Sequence, residues 1–165
     1  MTTIYTVGHS RHSAEHFAAL LRRHEIALVV DVRSHPRSRW APHFGKAALA
    51  QMLATHAIEY EFLGRELGGR PEGAEFHRPD GTVDYARRAE TAEFEAGIDH
   101  LVRRAAARRT AILCAEEDPA RCHRRLLVAP ALRRLGVAVL HLRGDGRLEP
   151  DDATGASSPQ LVPFP

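Results

Sequence analysis

Apolar positions along the chain follow two alternating periods. Short runs dense in Val, Ile and Leu recur at residues 3–7, 26–32, 110–114 and 137–142, each ended by a turn residue or a charged cluster. Such runs predict strands, and the strongest, at 26–32, predicts one buried on both faces near the sheet centre. Ile58, Tyr60 and Phe62 alternate with Glu59 and Glu61, which predicts one more strand, at an outer position with one wetter face. Between the strands the period lengthens to that of a helix. Phe17, Leu20 and Leu21 follow a Ser13 cap, and Leu49, Met52 and Leu53 mark a second helix. Residues 83–109 read as mostly helical, with a short separate piece at Tyr85 and then Phe94, Ile98, Leu101, Val102 and Ala105 on one stripe. A last helix is predicted over 119–135, bent near Pro130 and ended by Gly136.

Strands alternating with helices predict an α/β fold: a single domain with a largely parallel sheet of about five strands flanked by helices, in Rossmann-like layers with right-handed crossovers. The domain is expected to span residues 1–148, with 149–165 as a polar, proline-bearing tail. The longest irregular stretch, residues 63–81, carries glycines that fit neither a dinucleotide fingerprint nor a P-loop. It reads either as a lid over the strand ends or as a solvated excursion.

Composition narrows the class. At 165 residues and 44% hydrophobic the chain supports one real core. Net charge is +2, with acidic residues nearly matching basic ones and Lys46 the sole lysine, which argues against tight nonspecific binding to nucleic acid. Two cysteines make no disulfide framework, and neither a leader pattern nor a run of about 18 apolar residues occurs, so a reducing cytoplasm and no membrane are expected.

Candidate chemistry gathers where predicted strands end. Residues 113–125 hold both cysteines, Cys114 and Cys122, with Glu116, His123 and Arg124. Asp118 followed by Pro119 reads as a helix start, whose unpaired N–H groups would favour a thiolate or a bound anion at Cys122 and His123. His9 follows the first strand, Asp31 and Arg33 close the second with Arg39 beyond, and His141 closes the last. In an open α/β sheet the carboxyl ends of strands share a crevice, so these positions point to one composite site. The bland alternatives are a structural Asp31–Arg ion pair and two inert, packed cysteines.

Thr6-Val7-Gly8-His9-Ser10, Asp31-Val32-Arg33-Ser34 with Pro36 and Ser38-Arg39, Leu63-Gly64 with Leu67-Gly68-Gly69, and Cys114-Ala115-Glu116 through Cys122-His123-Arg124 together resemble the domain-of-unknown-function 488 family, from the start of the chain to about Gly146. The resemblance implies no particular activity, since the family is named for having none assigned.

Three functional readings follow from the residues. The first is an enzyme acting on a small phosphate- or carboxylate-bearing substrate. In it Cys114 or Cys122 is a thiolate, His9 or Glu116 transfers protons, and Asp31, Arg33, Arg39, His123, Arg124 and His141 hold the substrate. The Cys-x5-Arg signature of thiol phosphatases is absent, because position 120 is alanine. The second is a metal- or cofactor-binding module using Cys114, Cys122 and His123, with His9 or Glu116 as a further ligand. The eight-residue spacing of the cysteines is not that of a zinc finger, no haem attachment sequence occurs, and no residue is assigned to metal and no cofactor is named. The third is a nucleic-acid-binding or -modifying protein, with the arginine-rich lip after the second strand (Arg33, Arg37, Arg39) and helix ends as phosphate contacts.

Overall fold

In the computed structural model, which describes residues 1–151, six strands form one sheet in the order β3-β2-β4-β1-β5-β6. They are β1 (Thr3–Gly8), β2 (Leu28–Asp31), β3 (Glu59–Phe62), β4 (Thr110–Cys114), β5 (Ala138–Leu142) and β6 (Leu148–Pro150). All adjacent pairs are parallel except β5 with β6. The α/β architecture is thus the one predicted, with a sixth, antiparallel strand added after the Gly144-Asp145-Gly146 turn.

The alternation of side chains across the sheet makes two cores. On one face Ile4, Leu28, Val30 and Ile112 pack against Phe94, Ile98 and Leu101 of α5 (Ala92–Ala107) and Leu132 of α6 (Ala129–Arg134). On the other, Val7, Val29, Ala111 and Leu113 meet Phe17, Leu20 and Leu21 of α1 (Ala14–Arg23) and Leu49 and Leu53 of α2 (Lys46–Thr55). Ser13 caps α1, its hydroxyl accepting from the His16 N–H at 3.0 Å, and Thr91 caps α5. Two short helices, α3 (Gly64–Leu67) and α4 (Tyr85–Ala89), flank an ordered excursion at 68–84, which is pinned by Arg88 donating to the carbonyls of Arg65 and Glu66.

The topology itself opens a crevice. From β1 the chain leaves through α1 on one face, and from β4 it leaves through α6 on the other, yet β1 and β4 are neighbours. Departures to opposite faces leave a gap above the carboxyl ends of those two strands. Register sets Gly8 beside Cys114 and Asp31 beside Leu113, so three strands end level with one another there.

The segment after β4 differs from the single bent helix expected over 119–135. It is a 3-10 turn (Pro119–Arg121), an extended residue at Cys122, a wide turn over Arg124–Val128 with i→i+5 bonding, and only then α6. Pro130 has no N–H to give the carbonyl of Leu126, so the hydrogen-bond ladder widens before it instead of kinking at it. The sheet also continues to Pro150, and the Asp151 side chain is buried against His141, Arg125 and Arg133. The rest of the expected tail lies outside the described residues. No helix among the described residues is long and apolar enough to cross a membrane.

Ile112 sits in β4 with no exposed surface. Ile112→Ala is expected to destabilise the fold by about 2–5 kcal/mol in urea unfolding with an unchanged m-value, from lost burial plus the cavity left behind. A loss under about 1 kcal/mol would contradict a central, close-packed β4.

Candidate functional site

The crevice is a cavity of about 610 Å³. Its floor is made by the buried Cys114, Cys122 and His123, with the more exposed Glu116 at its edge and His9 and Arg33 beside them. Arg37, Arg70 and Arg121 stand at its rim, and Glu116 is the one carboxylate among the lining residues.

Gly8 makes the floor possible. A Cβ there would lie 1.7 Å from the carbonyl oxygen of Glu116, so only glycine lets β1 end against the loop after β4. Gly69 has the same role opposite: a Cβ would lie within 2.6 Å of the His123 ring, which the 68–84 excursion therefore packs directly upon.

Arg33 and Asp31 form a forked, fully buried pair, Nε to Oδ1 at 2.9 Å and Nη2 to Oδ2 at 2.7 Å. Tyr60 donates to the same carboxylate at 2.7 Å, and burial with this bond pushes the phenol up. Arg33 also donates through Nη1 to the Phe44 carbonyl and, at 3.2 Å, to His9 Nε2. His9 must accept there, so it is the neutral Nδ1–H tautomer, donating to the Ser10 carbonyl at 2.8 Å. Its pKa is lowered to about 4, chiefly by burial. With both ring nitrogens engaged and its ring stacked on Phe44, His9 has no site left to exchange a proton without breaking the Arg33 contact.

Arg124 is entirely buried. It donates to Cys122 Sγ (3.2 Å), Thr6 Oγ1 (3.0 Å) and the Glu116 carbonyl (2.5 Å), and no carboxylate pairs with it among the described residues. A buried guanidinium needs a counter-charge, and the sulfur of Cys122 is the group placed to carry it. The two thiols divide accordingly. The Cys122 thiol is held below its ordinary range, first by the neighbouring Cys114 thiol and further by Arg124, while Cys122 and burial push Cys114 up. The neighbouring thiol, with the Arg124 guanidinium adding to it, and not a helix N-terminus, thus sets the polarity at Cys122. The Asp118 cap is real, accepting from the Ala120 N–H at 2.9 Å, but it serves only the three-residue 3-10 turn.

His123 donates through Nε2 to the Val32 carbonyl at 3.0 Å, which leaves the Nδ1 lone pair facing Cys114 Sγ at 3.6 Å and Cys122 Sγ at 3.9 Å. Glu116 Oε2 lies 3.3 Å from Cys114 Sγ.

The structure therefore brings together His9, Arg33, Cys114, Glu116, Cys122 and His123 in one cavity. Asp31 and Arg124 lie directly behind that wall, as partners of Arg33 and Cys122. His141 lies inside the sheet, bonded to Thr6 Oγ1 at 2.7 Å and Asp151 at 3.1 Å, with its pKa lowered to about 3, first by burial. Arg39 is exposed and does not line the cavity. The rim residues Arg70 and Tyr85 were not singled out by the sequence. The one signal for Arg70 was the length of its irregular segment.

An α/β domain with a thiol- and imidazole-floored, carboxylate-edged crevice at a topological switch point is the class that the fold and site define. Within that class the chain belongs to the family described as Domain of unknown function DUF488, whose model matches residues 13–130. No curated protein and no solved structure matches the chain.

Beside the floor, Glu117 clamps the loop after β4 to the end of β5. Its carboxylate takes Arg143 at 3.0 and 2.8 Å and the Gly144 N–H at 2.9 Å. The Arg143 bonds first, then Gly144, depress its pKa from 4.5 to about 2. A depressed carboxylate contributes stability that is fully present above the unfolded pKa and lost as pH falls through the folded one. The stability gap between the natural chain and Glu117→Gln is therefore expected to be constant above about pH 5 and to close between pH 4.5 and 2. Urea unfolding across that range checks it, and a pH-independent gap would contradict the clamp.

Proposed function

We propose that this chain is an enzyme that binds a small anionic substrate, phosphate- or carboxylate-bearing, in the strand-end crevice and transforms it at the floor formed by Cys114, Cys122 and His123, with Glu116 at its edge. One observation carries the reading: Arg37, Arg70 and Arg121 line the cavity and none is ion-paired among the described residues. Three uncommitted guanidiniums around a concave, partly apolar site suit an anion that each can hold in a forked geometry. Arg33 adds shape more than charge, because Asp31 neutralises it. A cavity of about 610 Å³ suits a small molecule better than a nucleic-acid strand.

The roles divide by position. Rim arginines recruit and orient the anion. Glu116, at the solvent edge of the floor, is the group placed to carry a proton, since its carboxylate already contacts Cys114 Sγ. Arg124 and the Arg33–Asp31 pair are positioning residues, holding Cys122 and the crevice wall. A cytoplasmic setting fits two free, buried cysteines.

The test is calorimetric titration of the chelator-treated full chain with inorganic phosphate and with malonate at constant ionic strength. One of the two anions is expected to bind, and Arg70→Ala or Arg121→Ala to weaken it about tenfold each, in line with loss of about 1.5 kcal/mol from a charge-assisted hydrogen bond. Arg134→Ala, exposed in the last turn of α6 at the far end of the sheet, is expected to change nothing. Equal weakening by all three variants, or no binding of either anion, would overturn the anion reading.

A further inference from the structure

We infer that Cys114, Cys122 and His123 form a three-ligand site for a thiophilic divalent cation of the zinc class, with its fourth coordination position open to the crevice beside Glu116. This deepens the proposed function by saying what the floor holds, and it rests on that reading only for the role of the open position.

The donor atoms are already spaced for a metal. The two sulfurs and His123 Nδ1 all lie within 4.8 Å of one another, with the S···N separations at 3.6 and 3.9 Å. Bonds of about 2.3 Å to sulfur and about 2.0 Å to nitrogen in tetrahedral array place such donors roughly 3.6–3.8 Å apart. The S···N separations already match, and the two sulfurs, within 4.8 Å of each other, need to close by at most about 1 Å for an ion just off the plane of the triangle, on the crevice side, to meet all three.

Adjacency of Cys122 and His123 in sequence does not prevent shared ligation here. Cys122 is extended (φ −104°, ψ 146°) and His123 turns helical (φ −61°, ψ −19°), so consecutive side chains swing to the same point. That local geometry exists because the segment is not the regular helix its sequence suggests.

The surroundings have the features that metal sites need. His123 gives its Nε2–H to the Val32 carbonyl, which fixes the tautomer that leaves Nδ1 free to ligate. Arg124 donates to Cys122 Sγ, and Gly69 lets the excursion press on the imidazole, so both ligands are held from behind. Formal charges also balance: two thiolates and Glu116 offset a dication and Arg124. Thiolate and imidazole donors select zinc-class ions over calcium or magnesium, which take oxygen.

Three protein ligands with a fourth position facing a cavity are the arrangement of a catalytic site; a structural site would be closed by a fourth residue. Glu116 touches Cys114 Sγ yet stands outside the ligand triangle, so it flanks the open position without filling it. An oxygen of the anionic substrate, or a water, is the ligand that position takes.

The test uses the full chain, reduced and stripped with chelator, then titrated with Zn²⁺ against a chromogenic competitor and separately with Co²⁺ under absorption spectroscopy. The expected result is one Zn²⁺ per chain and a thiolate-to-cobalt charge-transfer band. Cys122→Ser and His123→Gln should each weaken Zn²⁺ at least about 100-fold, the upper end of what outer-shell changes alone cause. Stoichiometry and the cobalt band of the natural chain decide the matter even if a variant fails to fold. Substoichiometric Zn²⁺, or cobalt bound without the thiolate band and insensitive to Cys122→Ser, means uptake by surface histidines only and overturns the site. Phosphate or malonate bound by the stripped chain without such a metal site would leave the anion reading standing and this one refuted; metal bound with no anion affinity would do the reverse.

Discussion

Arg124 is the constraint around which the rest of the molecule is arranged. A guanidinium with no exposed surface, placed among β1, the loop after β4 and the turn into α6, is costly unless every donor and its charge are answered. Thr6 from β1 and the Glu116 carbonyl answer the donors, and Cys122 answers the charge. The chain of contacts continues outward from Thr6 to His141 and on to Asp151, which draws in Arg125 and Arg133. One buried cation thus contacts a thiol, holds the end of the first strand and, through Thr6 and His141, bears on the seating of the last one.

The crevice has a second requirement, which is steric. The loop after β4 lies on Gly8 and the excursion before α4 lies on the His123 ring at Gly69, both at distances that exclude any side chain. Two glycines far apart in sequence therefore set how closely the walls approach the sulfurs. Charge is graded across the site: Asp31 cancels Arg33 within the wall, Cys122 balances Arg124 beneath the floor, and the rim arginines face the cavity without such partners. An anion entering from solvent meets the uncompensated charges first.

The sheet and the location of the site were legible in the sequence because both rest on local signals. Continuous apolar runs gave four strands, the Glu59 and Glu61 alternation gave the edge strand β3, and charge appearing at strand ends placed His9, Arg33 and Cys114 together. What was not legible depends on long-range pairing. β6 is three residues long and exists through pairing with β5, so it had no periodicity to show. Asp151 is polar in sequence and sits where a tail begins, yet its carboxylate is buried by arginines that lie 18 and 26 residues earlier. The broken helix after Pro119 hid the convergence of Cys122 and His123, since a regular helix would have separated them around its axis. Arg70 reaches the rim only through the fold of its excursion, and Arg39, which looked equivalent to Arg33 in sequence, turns to solvent once past the strand end.

The central claim is that the buried charge of Arg124 and the sulfur of Cys122 are energetically one unit. A double-mutant cycle of Arg124→Met and Cys122→Ala, measured by denaturant unfolding of the reduced, chelator-treated chain, addresses it directly. Each single change strands its partner, so the double variant is predicted to be more stable than the sum of the two losses implies, by about 1–3 kcal/mol. Losses that add to within about 0.5 kcal/mol would show that the two groups are independent and would contradict the account.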